Sequence, residues 1–372
     1  MTASRRAQYL GAGVLAVLLA ALLVPASGSA SAEDVTAFPP RPLFWEQPLA
    51  DPSVVLDGTR WFAAGTGWRG GTSSSTQEYA GWVAGPPLLD SRPAWALNGD
   101  VWAPDLVRAA DGTWLAYYSV PVTGLPAAED RCIGVATSPD LATPFTPLDT
   151  QPLACPDDAA TVPASDVVRR EEGLPRRGVI DPSSYVAPDG RRFLLYRTQG
   201  TPSSIRMVRL TASGLRAAGP SRELLRDPGV LENPEMVDAD GWHHLLLSRG
   251  DYGRCGYRTV WRRSLSIRRD WQTAPETLLL DRRTTGICGP GGADYVALTP
   301  DRLFVHGWVC DGVNGPCEAS YSSRDDVYRR GHRVLYLARL RWTVDGPVLA
   351  RFGQGPEWTP PVTEPVTDPP PA

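Results

Sequence analysis

The chain has 372 residues, and its 37 basic side chains, all arginine, face 41 acidic ones for a formal net charge of −4. The absence of lysine excludes Schiff-base and lysine general-base chemistry, and with no basic stripe nucleic acid is not an expected partner. There is no Cys-x-x-Cys pair and only four histidines occur, so the spacing of a zinc site is missing.

Arg5 and Arg6 precede an apolar run from Leu10 to Val24, and small residues follow up to Ala30-Ser31-Ala32. A charged start, a short apolar stretch and an Ala-x-Ala site read as a secretory signal peptide over residues 1–32. The run is shorter than the roughly 20 residues a membrane-spanning helix needs. The expected mature chain is therefore extracellular and free of the membrane. Six cysteines, an even number, fit an oxidising compartment. Connectivity does not follow from sequence; closeness along the chain suggests Cys132 with Cys155, Cys255 with Cys288, and Cys310 with Cys317.

From Glu33 onward, short β-branched and aromatic runs alternate with Gly, Pro, Asp and Ser clusters, which is an all-β pattern. Four of them align: DPSVVLDGTRWFAAG from Asp51, APDLVRAADGTWLAYYS from Ala103, DPSSYVAPDGRRFLLYR from Asp181 and NPEMVDADGWHHLLLSR from Asn233. A fifth, looser copy is GGADYVALTPDRLFVHGW from Gly291. The Asp-Gly pairs at Asp57, Asp111, Asp189 and Asp240 mark hairpin turns. Pro52, Pro104, Pro182 and Pro234 lie 52, 78 and 52 residues apart, a spacing that suits a four-stranded unit plus loops. Five copies predict a five-bladed β-propeller over residues 33–357, with the first strand of each copy innermost. A β-sandwich would also contain regular hairpins but needs no shared motif at this period. The Pro-rich stretch 358–372 reads as an extended or disordered tail.

The residue before each anchor proline is Asp51, Ala103, Asp181 and Asn233, with Glu232 one position earlier in the fourth copy. A residue before proline is expected to be extended, so each enters its inner strand with a fixed direction. Three carboxylates from three blades would then meet at one mouth of the channel. That grouping suits glycoside hydrolysis, which needs one protonated acid and one ionised carboxylate, with like-charge repulsion setting the two apart. Taken singly, an Asp before Pro-Ser also serves as a turn cap.

The motifs ADPSV at Ala50, VWAPDL at Val101, IDPSS at Ile180, ENPEMV at Glu232 and FVHGW at Phe304 together resemble glycoside hydrolase family 43. That family comprises five-bladed propeller enzymes acting on arabinose- and xylose-containing polysaccharides. The resemblance implies an inverting hydrolase with Asp51 as general base, Glu232 as general acid, and Asp181 orienting Glu232 and tuning its pKa. Trp102 is read as a sugar neighbour, with an inner-strand core position as the alternative; the resemblance puts His306 near the propeller axis, as a sugar neighbour, with a hydrogen-bonded core position as the alternative. No cofactor is required for the chemistry, but the resemblance allows calcium or another ion near the axis, with His306 beside it. Asp105 receives no catalytic part. A polysaccharide or oligosaccharide is the expected partner, and no obligate protein partner is evident.

Two departures stand out: Glu-Asn-Pro replaces the Glu-Gly-Pro of many members, and GPGGADYV lacks a histidine after Gly-Pro-Gly. The competing readings are a secreted carbohydrate-binding propeller without activity and a retaining fructan-type propeller hydrolase. The connection from Cys132 to Gly178 and the loop from Cys310 to Arg333 are the expected shapers of the channel mouth.

Overall fold

The structure, a computed structural model, describes residues 40–161, 163–310, 315–317 and 331–357. The expected signal peptide at 1–32 and the Pro-rich tail at 358–372 lie outside the described residues. Within them the only helix is the single turn α1, Arg282–Thr285.

Five sheets follow one another along the chain, antiparallel throughout except for one short parallel pair in the second. Blade I holds β1 (Ala50–Asp57), β2 (Arg60–Thr66), β3 (Gly71–Ser75) and β4 (Val83–Ala84). Blade II holds β5 (Trp102–Arg108), β6 (Trp114–Pro121) and β7 (Arg131–Ser138), then the short β8 (Thr146–Pro147), β9 (Ala154–Pro156) and β10 (Asp166–Val168). These three short strands replace a regular fourth strand and account for the longer step between Pro104 and Pro182. Blade III holds β11 (Val179–Val186), β12 (Arg192–Thr198), β13 (Ser203–Arg209) and β14 (Arg222–Asp227). Blade IV holds β15 (Leu231–Ala239), β16 (Trp242–Arg249), β17 (Arg258–Ser264) and β18 (Thr277–Leu280). Blade V holds β19 (Cys288–Val296), β20 (Asp301–Cys310), β21 (Gly315–Pro316), β22 (Gly331–Thr343) and β23 (Gly346–Phe352). Each Asp-Gly pair joins a first strand to a second, with its glycine at positive φ. The chain is a five-bladed propeller: β1 packs on β5, β5 on β11, β11 on β15, β15 on β19, and β19 back on β1.

The hydrophobic core is divided among the five blade interfaces. Phe62 and Trp114 fill the junction of blades I and II, and Tyr117 and Tyr196 that of II and III. Phe193 and Trp271 lie between III and IV, Leu246 and Tyr336 between IV and V, and Trp61 and Phe304 between V and I. Trp61 and Phe62 are neighbours in β2 yet serve opposite interfaces, as the two-residue period of a strand requires. Burying a side chain such as Phe304 contributes about 1.5–3 kcal/mol. The ring is closed at its ends by the segment before β1, where Leu43 and Leu49 donate backbone N–H groups to Leu335 and Arg333 of β22 (2.8 and 2.9 Å). All three suggested cysteine pairs are bonded: Cys132–Cys155, Cys255–Cys288 and Cys310–Cys317.

Every inner strand slips register by one residue at the same level, and β19 slips once more before it, between Cys288 and Gly291. The slip falls between Ala50 and Ser53, Trp102 and Asp105, Ile180 and Ser183, Glu232 and Glu235, and Gly291 and Asp294. The residues expected to be extended before proline are left-handed instead: φ is +48° at Asp51, +41° at Ala103, +57° at Asp181 and +47° at Asn233. Gly292 matches them in blade V at +58°. The extra residue of the bulge has to be absorbed there, and it redirects the side chain. For a residue with a Cβ this conformation costs roughly 1–2 kcal/mol.

Two residues beyond each left-handed position, Ser53, Asp105, Ser183, Glu235 and Asp294 line a narrow axial cavity. They tie each blade to the next. Leu106 N–H donates to Ser53 Oγ (3.0 Å), and Ser184 N–H to Asp105 Oδ2 (2.9 Å). The Ser183 hydroxyl donates to Glu235 Oε2 (2.6 Å), and Glu235 accepts the Tyr295 N–H. Val54 N–H closes the circle on Asp294 Oδ2 (2.8 Å). Burial raises all three carboxyls, with Asp105 pushed up to about 6 despite its hydrogen bonds to Ser184. Glu235 and Asp294 rise further, as burial is joined by the charges of the other axial acids.

A carboxyl whose pKa is higher folded than unfolded stabilises most below its unfolded value and loses that contribution as pH rises through the folded one. For Asp105 the window runs from its ordinary 3.8 to about 6, at up to roughly 1.4 kcal/mol per pH unit. Calorimetric melting of Asp105→Asn, which keeps an acceptor for Ser184, is expected to depend less on pH between 4 and 7 than the wild type. Parallel profiles would contradict the raised Asp105. Asp294→Ala leaves the Val54 N–H buried without its acceptor and should lower unfolding stability by about 1–3 kcal/mol.

Candidate active site

Asp51, Asp181 and Glu232 come together on a pocket of about 400 Å³. Asp51, Asp181 and Asn233 also line the axial cavity, so the pocket sits at one end of the channel. The left-handed bulge residue supplies the acid in blades I and III. In blade IV the acid is one residue earlier, and Asn233 takes the bulge.

Asp51 is held as an ionised acceptor. Ala103 N–H donates to Thr66 Oγ1 (3.0 Å), which leaves the Thr66 hydroxyl to donate to Asp51 Oδ2 (2.8 Å). Arg333 Nη1 donates to Asp51 Oδ1 (3.0 Å). Burial by itself would raise this carboxyl, but the Arg333 guanidinium beside it and the Thr66 hydrogen bond hold it below the ordinary value. His306 is itself lowered to about 3 by burial and by Arg333. It is therefore neutral, and the stabilising charge on Asp51 is that of Arg333.

Glu232 and Asp181 lie under the opposite balance. Burial raises both, and the neighbouring Glu232 charge adds to the rise at Asp181. Arg197 forms a buried ion pair with Glu232 Oε2, and the Tyr257 hydroxyl donates to Glu232 Oε1 (2.7 Å). Both partners favour the Glu232 anion. Asp181 accepts the Asn233 N–H on Oδ2 (3.3 Å), and the Arg197 charge also favours its anion, but neither offsets burial and the Glu232 charge. These are interacting acids, so the retained proton belongs to the pair. Asn233, one of the two departures, also reaches the Tyr257 hydroxyl (Oδ1 at 2.8 Å), so the extra amide joins the contacts that fix Glu232.

Trp102 lines the pocket, with the Arg131 guanidinium stacked 3.5 Å from its ring centroid. Glu129, Arg177 and Gln199 form a further wall. Arg177 donates to Glu129 Oε1 (2.8 Å) and Asp130 Oδ1 (2.5 Å), so the end of the long Cys132–Gly178 connection does reach the pocket. Residues 311–314 and 318–330 of the other expected loop lie outside the described residues. Asp105 is in the axial ring and does not line the pocket.

His306 does not reach the pocket, contrary to its expected place beside the sugar. It is wholly buried on β20, its Nδ1 accepts the Asp51 N–H (3.0 Å), and its ring stacks on Tyr257 with centroids 5.8 Å apart. The second departure explains how it fits. A Cβ on Gly292 would lie 2.6 Å from His306 Nδ1, and one on Gly291 would lie 2.1 Å from Tyr257 Cε1. The Gly-Gly pair makes room for the stack that supports Asp51 and Glu232 from below. His306 Nε2 has no hydrogen-bond partner among the described residues, and no three His, Cys, Asp or Glu side chains there converge as ion ligands.

Thr66 and Arg197 carry no motif of their own, yet the repeat locates them. The residues opposite the slips are Thr66, Ser119, Arg197, Ser248 and His306, at one ladder position in all five blades. Extending the alignment to the ends of the second strands marks all five. Arg333 and Tyr257 sit at no repeated position.

The family model described as glycosyl hydrolases family 43 matches residues 43–348. The extracellular endo-α-(1→5)-L-arabinanase 1 of Bacillus subtilis (strain 168) is 24% identical over 289 residues, which is 70% of this chain and 82% of the relative. An exo-1,5-α-L-arabinanase from a bovine ruminal metagenomic library superposes with a TM-score of 0.61 at 19% identity, over 83% of this chain and 99% of that one. The Cellvibrio cellulosa α-L-arabinanase complexed with arabinohexaose gives 0.60 at 20% identity, over 82% and 95%. The structural likenesses establish the fold, and the family match covers most of the sequence. The chain belongs to glycoside hydrolase family 43 and is a glycosidase, hydrolysing O-glycosyl bonds.

Proposed function

We propose that the protein is a secreted, inverting hydrolase of arabinan, with Asp51 as general base, Glu232 as general acid and Asp181 positioning and tuning that acid. The arabinanase names of its relatives support the substrate class. The extracellular relative and the reading of residues 1–32 support secretion. Among the described residues no helix is long and apolar enough to cross a membrane.

One observation carries the reading: three carboxyls on a single pocket are divided into one pushed down and two pushed up. Inversion needs that division. Asp51 accepts a proton from a water as its oxygen attacks the anomeric carbon. Glu232 donates a proton to the departing glycosidic oxygen on the opposite face of the ring. The C–O bond to the leaving group breaks, a C–OH bond of inverted configuration forms, and solvent exchange restores both acids. Arg333 and Thr66 keep Asp51 ionised and aimed, and Asp181 keeps a proton available to Glu232. Trp102, stiffened by Arg131, offers a flat wall to the sugar.

Arabino-oligosaccharides or arabinose are expected from linear arabinan, with xylan, arabinoxylan and aryl pentosides as comparison substrates. Glu232→Gln should lower kcat by roughly 10²–10⁴; an unchanged kcat would remove the acid from this role. Proton NMR of the first product should show the anomer opposite to the substrate linkage, and retention would point to an Asp51 nucleophile instead.

The pH profile of kcat/KM should be a bell. Its acid limb is set by Asp51, below the usual carboxylate range, because activity needs that group unprotonated. Its alkaline limb is set by the Asp181–Glu232 pair, above that range, because activity needs their proton. Asp181→Asn removes the like charge and should move the alkaline limb to lower pH. An unmoved limb would end the tuning role.

A further inference from the structure

A second opening of about 250 Å³ lies between blades I and II. Its bed is apolar, formed by the buried side chains of Leu89, Val101 and Val120. Its rim carries Trp68, Arg69, Arg92 and Asn98. Trp68 is 58% exposed, whereas Trp61, Trp82 and Trp114 nearby in the chain are buried. Nothing in the packing of the core requires an indole there.

The turn that carries the indole is fixed by the backbone, and the Arg69 guanidinium lies 6.0 Å from the indole centroid. Trp68 and Arg69 are the central residues of a turn in which Gly70 N–H donates to Gly67 O (3.0 Å). Arg69 is left-handed, with φ +54°. The turn is braced from outside: Leu89 N–H donates to Arg69 O (3.0 Å), and Arg69 Nη1 donates to Asp90 O (3.0 Å). Strain of this kind is retained where the surroundings over-determine it, often at ligand-binding positions.

This groove adjoins the catalytic pocket. Thr66 and Trp102 line that pocket, while Trp68 and Val101 line the groove. The residues between them form the shared sill, a two-residue bridge in which Gly67 and Val101 exchange both backbone hydrogen bonds (2.9 Å each). A chain leaving the catalytic pocket over this sill meets the Trp68 ring next.

We propose that the Trp68 groove is a distal subsite for the polysaccharide substrate, binding a stretch of the same neutral pentosan chain whose scissile bond lies at Asp51 and Glu232. The proposal rests on the pentosan reading of the catalytic pocket. The indole offers a rigid apolar face to a sugar ring. Arg69, Arg92 and Asn98 supply donors, and Asn98 also an acceptor, for the hydroxyls at its edge. An apolar floor with a few placed polar groups is the usual make-up of a small-molecule site. The groove adds affinity for chain length and takes no part in bond breaking.

The test compares substrates of two lengths. For wild type, Trp68→Ala and Trp68→Phe, kcat/KM is measured on linear arabinan and on an arabinotriose-sized oligosaccharide. The ratio of polymer to oligosaccharide is expected to fall about tenfold in Trp68→Ala, through KM, and to recover in part in Trp68→Phe. A ratio within twofold of wild type would overturn the proposal, as would an equal loss on both substrates. Retention in native gels containing arabinan, with Glu232→Gln as background, reads binding without turnover. Loss of retardation on adding Trp68→Ala supports the subsite, and unchanged retardation overturns it. If the wild type cleaves no pentosan, the catalytic reading fails by itself, and gels cast with arabinan, arabinoxylan or xylan still show whether Trp68 binds a polysaccharide. Retardation in none of them would overturn the subsite.

Discussion

The molecule depends on one backbone device repeated five times, the single-residue slip at the start of each inner strand. The slip turns one residue into a left-handed conformation facing the channel mouth, and two residues later presents a side chain to the next blade. Ser53, Asp105, Ser183, Glu235 and Asp294 use that second position to bond around the axis, four of them as acceptors of a backbone N–H from the following blade. Inner strands near a propeller axis would otherwise leave those N–H groups buried and unmet, which a folded protein seldom tolerates. The fold is thus closed by the same feature that assembles the site. The left-handed strain at Asp51 and Asp181 is offset by the packing of five interfaces.

Pseudo-symmetry of the backbone, combined with asymmetry of the side chains, makes chemistry available. The five left-handed positions carry Asp51, Ala103, Asp181, Asn233 and Gly292, and the residues opposite the slips are equally varied. Charge placement then separates the acids. Asp51 has Arg333 and a hydroxyl whose donor direction is fixed by Ala103. Glu232 has Arg197 and Tyr257 but shares the pocket with Asp181. In surroundings of low effective dielectric such differences act strongly on ionisation. The smallest residues matter as well: Gly291 and Gly292 admit the Tyr257–His306 stack that both catalytic candidates lean on.

Outside the ring, blade II departs most from the repeat. Its extra strands are tied by Cys132–Cys155, and the long connection that follows carries Arg177 to the pocket wall, where it meets Glu129. Propeller loops can vary in this way because the inner strands do not depend on them. Trp102, Arg177 and Gln199 are the pocket walls that such connections and strand ends place around the three acids.

By itself the sequence determined the fold class, the number of blades, the hairpin turns and the three pocket acids. Each of these rests on a local pattern that recurs at blade spacing, and recurrence survives without any knowledge of contacts. It did not determine the backbone at Asp51, Asp181 and Asn233, where the preference of a residue before proline gives way to a bulge that exists only through pairing with β2, β12 and β16. It placed His306 near the axis but not behind Asp51, because its depth is set by the absent Cβ of Gly292 on a neighbouring strand. The ion pairs of Asp51 with Arg333 and of Glu232 with Arg197 were also decided by the tertiary structure. Arg333 and Asp51 lie 282 residues apart, and only closure of the ring brings the last blade against the first.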